Sequence, residues 1–200
     1  MARLKAFDPD EALERAMELF WRDGYDGTSL SALLEHMGIS RQSLYDTFGD
    51  KRSLYLAALD RYEGAFTELI DRHLGGGDAG VLALVAFGQS FLATLIHPDE
   101  RGVCMMAAAA IDLGHRDDAV AARVKAHFAG LEAALTATLA NAQHRGEVEP
   151  SIEPAGAARM LVAVLCGLGA MRRAGAGRTA LRRTVEGAIG ALVRPPGLAS

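Results

Sequence analysis

Cysteine is almost missing from this sequence: Cys104 and Cys166 are the two copies, and their spacing builds no metal site. Both lie in apolar stretches, where a buried reduced thiol is the default. The six histidines (36, 73, 97, 115, 127 and 144) are scattered, with no His-x-x-x-His pair among them, so metal binding is not expected. Aromatic residues make up only 6% of the chain, and no alternating apolar pattern, internal repeat or low-complexity tract is visible. That argues against sheets. The longest apolar run, Met160 to Met171, covers 12 residues and ends in Arg172-Arg173, too short to span a bilayer. The N-terminus lacks the apolar stretch of a signal peptide, which points to a cytoplasmic protein without a membrane partner. The glycine triplet at 75–77 lacks the Gly-Lys-Ser/Thr of a phosphate loop and reads as a connector. No nucleophile–base pair is recognisable, so neither a catalytic residue nor a cofactor is expected. Positive charge is also short: the chain carries net −4, and its first 52 residues hold more acidic than basic side chains. Bulk attraction to nucleic acid is thereby excluded.

What remains is abundant alanine, 50% apolar residues and clear helix punctuation. Asp8, Pro9 and Glu11 mark a helix start, Asp8 as the cap and Glu11 as the far end of a capping box. Ala12, Ala16, Leu19 and Phe20 then form an apolar stripe, and Gly24 ends the helix. A second helix follows with Leu30, Leu33, Leu34 and Met37 on one face and Thr28 as its N-cap. Gly38 supplies a left-handed stop. Ser40 caps a third helix, Arg41 to about Phe48, which buries Leu44 and Phe48 and turns Gln42, Ser43, Tyr45 and Asp46 outward. Two short helices joined by a tight turn match a helix-turn-helix, a device for placing one helix in the major groove of DNA. An ordinary helical hairpin with a solvated polar face fits the same spacing.

Asp-Gly-Thr-Ser at 26–29, Gly-Ile-Ser-Arg-Gln-Ser-Leu-Tyr at 38–45, Phe48 and Lys51 closely resemble the N-terminal domain of TetR-type transcriptional regulators, over roughly residues 7–60. The resemblance implies that Thr28, Tyr45 and Lys51 contact phosphates, and that Arg41, Gln42 and Ser43 face bases or nearby backbone. Ser40 and Thr47 join this DNA-binding set. Thr47 stands where the family often has histidine, which weakens a phosphate contact there. Asp46 adds a negative charge, either accepting from a cytosine amino group or standing solvated or paired with Arg41.

The predicted fold is all-α, with about nine helices: a three-helix DNA-binding head at 1–52 and a larger helical regulatory and dimerisation domain at 53–200. Punctuation places the six later helices near 50–73, 79–96, 101–113, 117–145, 154–174 and 178–193. The last two combine small residues with Leu161, Val164, Leu165, Leu168, Val185, Ile189 and Leu192. These seven form either monomer core or, as the resemblance implies, a homodimer interface. Phe87, Phe91, Cys104 and Met105 are candidates to line an adaptable, partly apolar effector pocket, and plain core is the alternative. Arg101-Gly-Val-Cys104 resembles a segment of a TetR subgroup whose cysteine reacts with electrophiles or oxidants. The implied function is a ligand-responsive repressor that binds a palindromic operator in double-stranded DNA as a dimer. A helical protein-interaction module or an all-helical enzyme are the alternatives.

Overall fold

The computed structural model describes residues 7–96 and 104–193. Among them it contains nine α-helices and no strand: α1 Pro9–Gly27, α2 Leu30–Met37, α3 Arg41–Phe48, α4 Lys51–Leu74, α5 Val81–Leu95, α6 Met105–Asp112, α7 Asp118–His144, α8 Pro154–Arg173 and α9 Arg178–Gly190. An isolated antiparallel bridge joins Val148 and Val193. The sequence-based boundaries agree to within a few residues. The expected first residues of the α6 segment, 101–103, lie outside the described range.

Two compact units share the chain, Met1–Ala65 with Met105–Val124 and Phe66–Cys104 with Lys125–Ser200. The head unit is thus larger than residues 1–52 and includes α6 and the start of α7. Asp8 caps α1 by accepting from the amides of Asp10 (2.8 Å) and Glu11 (3.4 Å). Glu11 pairs with Arg15 instead of reaching back to the cap, so the expected capping box does not close. At Gly24 the backbone leaves the helix with φ 73° and ψ 174°, a region open essentially to glycine alone. A Cβ there would also lie 2.7 Å from Asp112 Oδ2. Phe20, Tyr25 and Tyr55 cluster with ring centroids 4.9–6.2 Å apart. Ion pairs tie distant segments of this unit together, among them Arg61–Glu14, Arg52–Asp117, Arg116–Asp26 and Arg123–Asp60.

The body unit is packed by apolar side chains. Phe66 lies edge-on to Phe87 and Phe91 and 4.5 Å from the His127 ring. Helices α5 and α9 touch where Gly88 meets Val185; a Cβ on Gly88 would stand 2.7 Å from Val185 Cγ1. Glu153 caps α8 through the amides of Ala155 and Gly156. The apolar segment is longer than the run of 12 suggested: α8 has 20 residues with a window of mean hydropathy 1.5, enough by length and composition alone to cross a membrane. Leu161, Leu165 and Leu168 bury one face of it against its own unit.

Candidate nucleic-acid interface

Helix α3 is held by its ends and by one buried side chain. Ser40 Oγ accepts from the Ser43 amide at 3.1 Å and lies 2.9 Å from Ser43 Oγ. Before it, Gly38 takes φ 69° and ψ 31°, and its amide donates to the carbonyls of Leu34 and Glu35. This left-handed residue stops α2 and lets the chain turn within two residues. Leu44 is completely buried, which fixes the roll of α3 and turns Arg41, Gln42, Tyr45 and Asp46 to solvent. Tyr45 is 46% exposed, unusual for an aromatic ring, and Arg41 makes no ion pair or hydrogen bond among the described residues. Phe48, expected to be buried, is half-buried, as are Ser43 and Thr47.

At the start of α4, Asp50 accepts from the Ser53 amide at 2.7 Å, which holds its carboxyl below the usual carboxylate range. The Lys51 ammonium lies 4.2 Å from the centroid of the Tyr25 ring, a cation–π contact. Burial pulls its pKa below the ordinary lysine value, and Asp26 opposes that shift. Arg52 is committed to Asp117, donating from Nε and Nη2 at 2.5 and 2.8 Å.

Three expectations change here. Thr28 is 1% exposed, its hydroxyl donates to the Gly24 carbonyl at 2.6 Å and its amide to that of Tyr25. It closes α1, and it has neither a free donor nor an exposed surface for a phosphate. The α2 cap is its neighbour Ser29, which accepts from the Ala32 amide and is exposed. Asp46 pairs with Gln42, not with Arg41: Gln42 Nε2 donates to Asp46 Oδ1 at 2.7 Å. That i, i+4 spacing was visible in the sequence. The Lys51–Tyr25 stack, across 26 positions, left no local trace.

In the body unit the seven expected dimer residues face inward. Leu161, Leu165, Leu168, Val185, Ile189 and Leu192 are buried within this one chain, and Val164 is half-buried. The large aliphatic side chains turn to the unit's own core together with Ala157, Ala158 and Gly169, while other residues of both helices remain outside. Met160, Ala163, Gly167 and Ala170 are exposed along one face of α8, as are Ala180, Arg183 and Gly187 along α9. A Cβ on Gly167 or Gly187 would meet nothing within 4 Å.

The expected pocket residues Phe87, Phe91, Cys104 and Met105 are all buried. Phe87 lines a void of about 20 Å³, room for a single water. Phe91 is buried against Phe66, and Cys104 Sγ lies 3.8 Å from His127 Nε2. Met105 is buried in the other unit, because the chain passes between units after Cys104. A wider groove of about 420 Å³ runs between α5 and α9, lined by Val81, Val85, Leu92, Val185 and Ile189, with Arg182 and Glu186 among its polar residues. Burial, with a smaller contribution from Cys104, pushes the Cys166 thiol up to about 11.

Comparison with known proteins gives the family. Residues 12–58 match the family model of bacterial regulatory proteins, tetR family, and residues 80–188 that of the tetracyclin repressor-like C-terminal domain. The chain belongs to the TetR family of transcriptional regulators. It is 37% identical over 149 residues to the uncharacterized HTH-type transcriptional regulator YezE of Bacillus subtilis (strain 168), over 74% of this chain and 76% of that one. To the HTH-type transcriptional repressor ComR of Escherichia coli (strain K12) it is 32% identical over 175 residues, 87% of this chain and 83% of the other. A cysteine-substituted form of the TetR family regulator CifR, complexed with 26-bp double-strand operator DNA, matches with TM-score 0.84 and 28% identity, over 96% of this chain and 100% of that one. TetR-family proteins are DNA-binding regulators of transcription, not enzymes, and this chain has their all-α fold.

Proposed function

We propose that the protein is a cytoplasmic repressor that reads a palindromic operator as a homodimer and is released by a small, partly apolar effector. The observation that carries the reading is the outward face of α3, where Arg41, Gln42 and Tyr45 stand exposed on a helix fixed by the Ser40 cap and the buried Leu44. In this reading Arg41 and Gln42 meet base edges, while Ser40, Ser43, Tyr45, Thr47 and Lys51 serve the backbone. Ser29 takes the phosphate role that Thr28 is too buried to fill. Residues 1–52 act as the reader and 53–200 as the sensing and dimerising part.

One short helix spans few base pairs, and the head carries no excess of positive charge, so a two-fold pair of readers is required. The exposed small-residue faces of α8 and α9 support a close helix-to-helix dimer. For the effector, the groove between α5 and α9 has the size and apolar lining of a small-molecule site. The effector must favour the arrangement that does not bind DNA, or it cannot release the operator.

The test is selection of bound sequences from random DNA by the full-length protein, with sedimentation of the complex. An imperfect palindrome bound by two chains is expected, with affinity falling steeply as salt rises. A protein carrying both Arg41→Ala and Tyr45→Ala should remain folded and dimeric yet lose the site. Unchanged affinity in that variant overturns the assignment of α3, and a single asymmetric site bound by one chain overturns the dimer.

A further inference from the structure

Asp46 places a negative charge on the face proposed to meet DNA, where it opposes binding to phosphate. Its partner gives it a purpose. Gln42 and Asp46 lie one helical turn apart, both exposed, with Gln42 Nε2 donating to Asp46 Oδ1 at 2.7 Å. A carboxylate only accepts, so the amide nitrogen must face it, whichever way the amide could otherwise be drawn. One Nε2 hydrogen is thereby occupied. The amide keeps its carbonyl oxygen and its second N–H.

We propose that Asp46 is a specificity-positioning residue: it holds the Gln42 amide in one orientation, so that an acceptor and a donor are offered side by side to an adenine edge in the major groove. Adenine presents an N6 donor beside an N7 acceptor, and a glutamine amide meets both with Oε1 and one N–H. Guanine presents acceptors at O6 and N7, so the fixed Oε1 would face another acceptor. A free amide escapes that mismatch by turning over and donating to O6. With its nitrogen bonded to Asp46, Gln42 loses this option. The charge of Asp46 thus weakens binding to DNA of any sequence while sharpening the choice of base. Bonding to a carboxylate also polarises the amide and makes its carbonyl oxygen a stronger acceptor for the adenine N6 donor.

The inference rests on the proposal that α3 enters the major groove, and the experiment separates the two. Full-length wild type, Gln42→Ala, Asp46→Ala, Asp46→Asn and the Arg41→Ala/Tyr45→Ala double variant are taken through sequence selection and titrated against single-base operator variants. We expect one adenine position per half-site that Gln42→Ala erases. Asp46→Ala should reduce the adenine-over-guanine ratio at that same position about five- to tenfold, the low end of a bidentate contact's discrimination. It should also bind non-specific DNA more tightly. Asp46→Asn keeps an acceptor oxygen and should restore most of the ratio. Full adenine preference in Asp46→Ala, an altered preference at a different base, or equal loss in Asp46→Asn overturns the proposal. If the double variant still binds the operator normally, the reading of α3 fails; if that variant loses the site but Gln42→Ala keeps every preference, only the present inference falls.

Discussion

The head unit and the body unit are both helical, but they differ in what sets how closely their helices approach. In the head, short polar side chains fix the starts: Asp8 for α1, Ser29 for α2 and Ser40 for α3. Ion pairs such as Arg52–Asp117 and Arg116–Asp26 then join segments far apart in sequence. In the body Glu153 caps α8, whereas α5 and α9 start at Gly80 and Gly177 with no cap from those residues, the first α5 amide donating instead to Glu147. Their approach is set by apolar contacts, and by a glycine where bulk would not fit. Directional bonds define a surface that must meet a ligand in one orientation, whereas non-directional packing tolerates small shifts between helices.

Two glycines test this contrast most severely. Gly24→Ala in the head should cost about 2–3 kcal/mol, because its backbone conformation excludes a side chain. Adding Asp112→Ala relieves the close contact but not the dihedral strain, so little stability should return. Gly88→Ala in the body should cost about 1–2 kcal/mol, an overpacking penalty reduced by better helix propensity. There Val185→Ala should rescue, with the double variant costing clearly less than the sum of the singles. Urea unfolding of wild type and the six variants measures both cycles. Rescue of Gly24→Ala by Asp112→Ala would erase the distinction.

A smaller effect concerns the caps. Ser40→Ala should lose about 1 kcal/mol and weaken operator binding, since it frees the Ser43 amide and loosens the start of α3. Gly177→Ser gives α9 a cap it lacks, where a Cβ meets nothing within 4 Å, and should gain a few tenths of a kcal/mol without altering affinity for DNA. Thermal unfolding and operator titration on the same samples separate the two outcomes.

The smallest effect is confined to acid. Arg52 holds Asp117 near a pKa of about 2, against an ordinary 3.8. A depressed carboxylate stabilises fully above the ordinary value, and its contribution is lost as pH falls from about 3.8 to 2. The stability difference between wild type and Arg52→Ala should therefore be constant near neutrality and shrink across that window. A difference that grows on acidification would show that the pair does not act through Asp117.

The sequence was most informative where a single residue does a local job. Asp8, Gly38 and Ser40 marked their helix ends correctly, because caps and left-handed stops act within four residues, whereas Gly24 marks a break inside α1 three residues before its end. The exposed polar face of α3 was legible for the same reason. Thr28 misled because Thr-Ser offers two adjacent cap formers, and the bond to the Gly24 carbonyl that chooses between them depends on how α1 ends. Lys51 over Tyr25 and Arg52 on Asp117 were hidden by sequence distance. In α8 and α9, alanine and glycine occupy both faces, so hydropathy alone could not tell the inner side from the outer.

The head unit is also discontinuous: the chain leaves it after Ala65, returns at Met105 and leaves again after Val124. Readers and sensors of this architecture are therefore not interchangeable modules. A chimera joined once, at residue 52, would carry Gly24 and Asp26 from one parent and their partners Asp112 and Arg116 from the other. Exchanging operator specificity between such regulators by a single crossover would separate residues fitted to each other. The more conservative graft transplants only the outward side chains of α3, including Gln42 and Asp46 as a pair, and leaves every seam of the host intact.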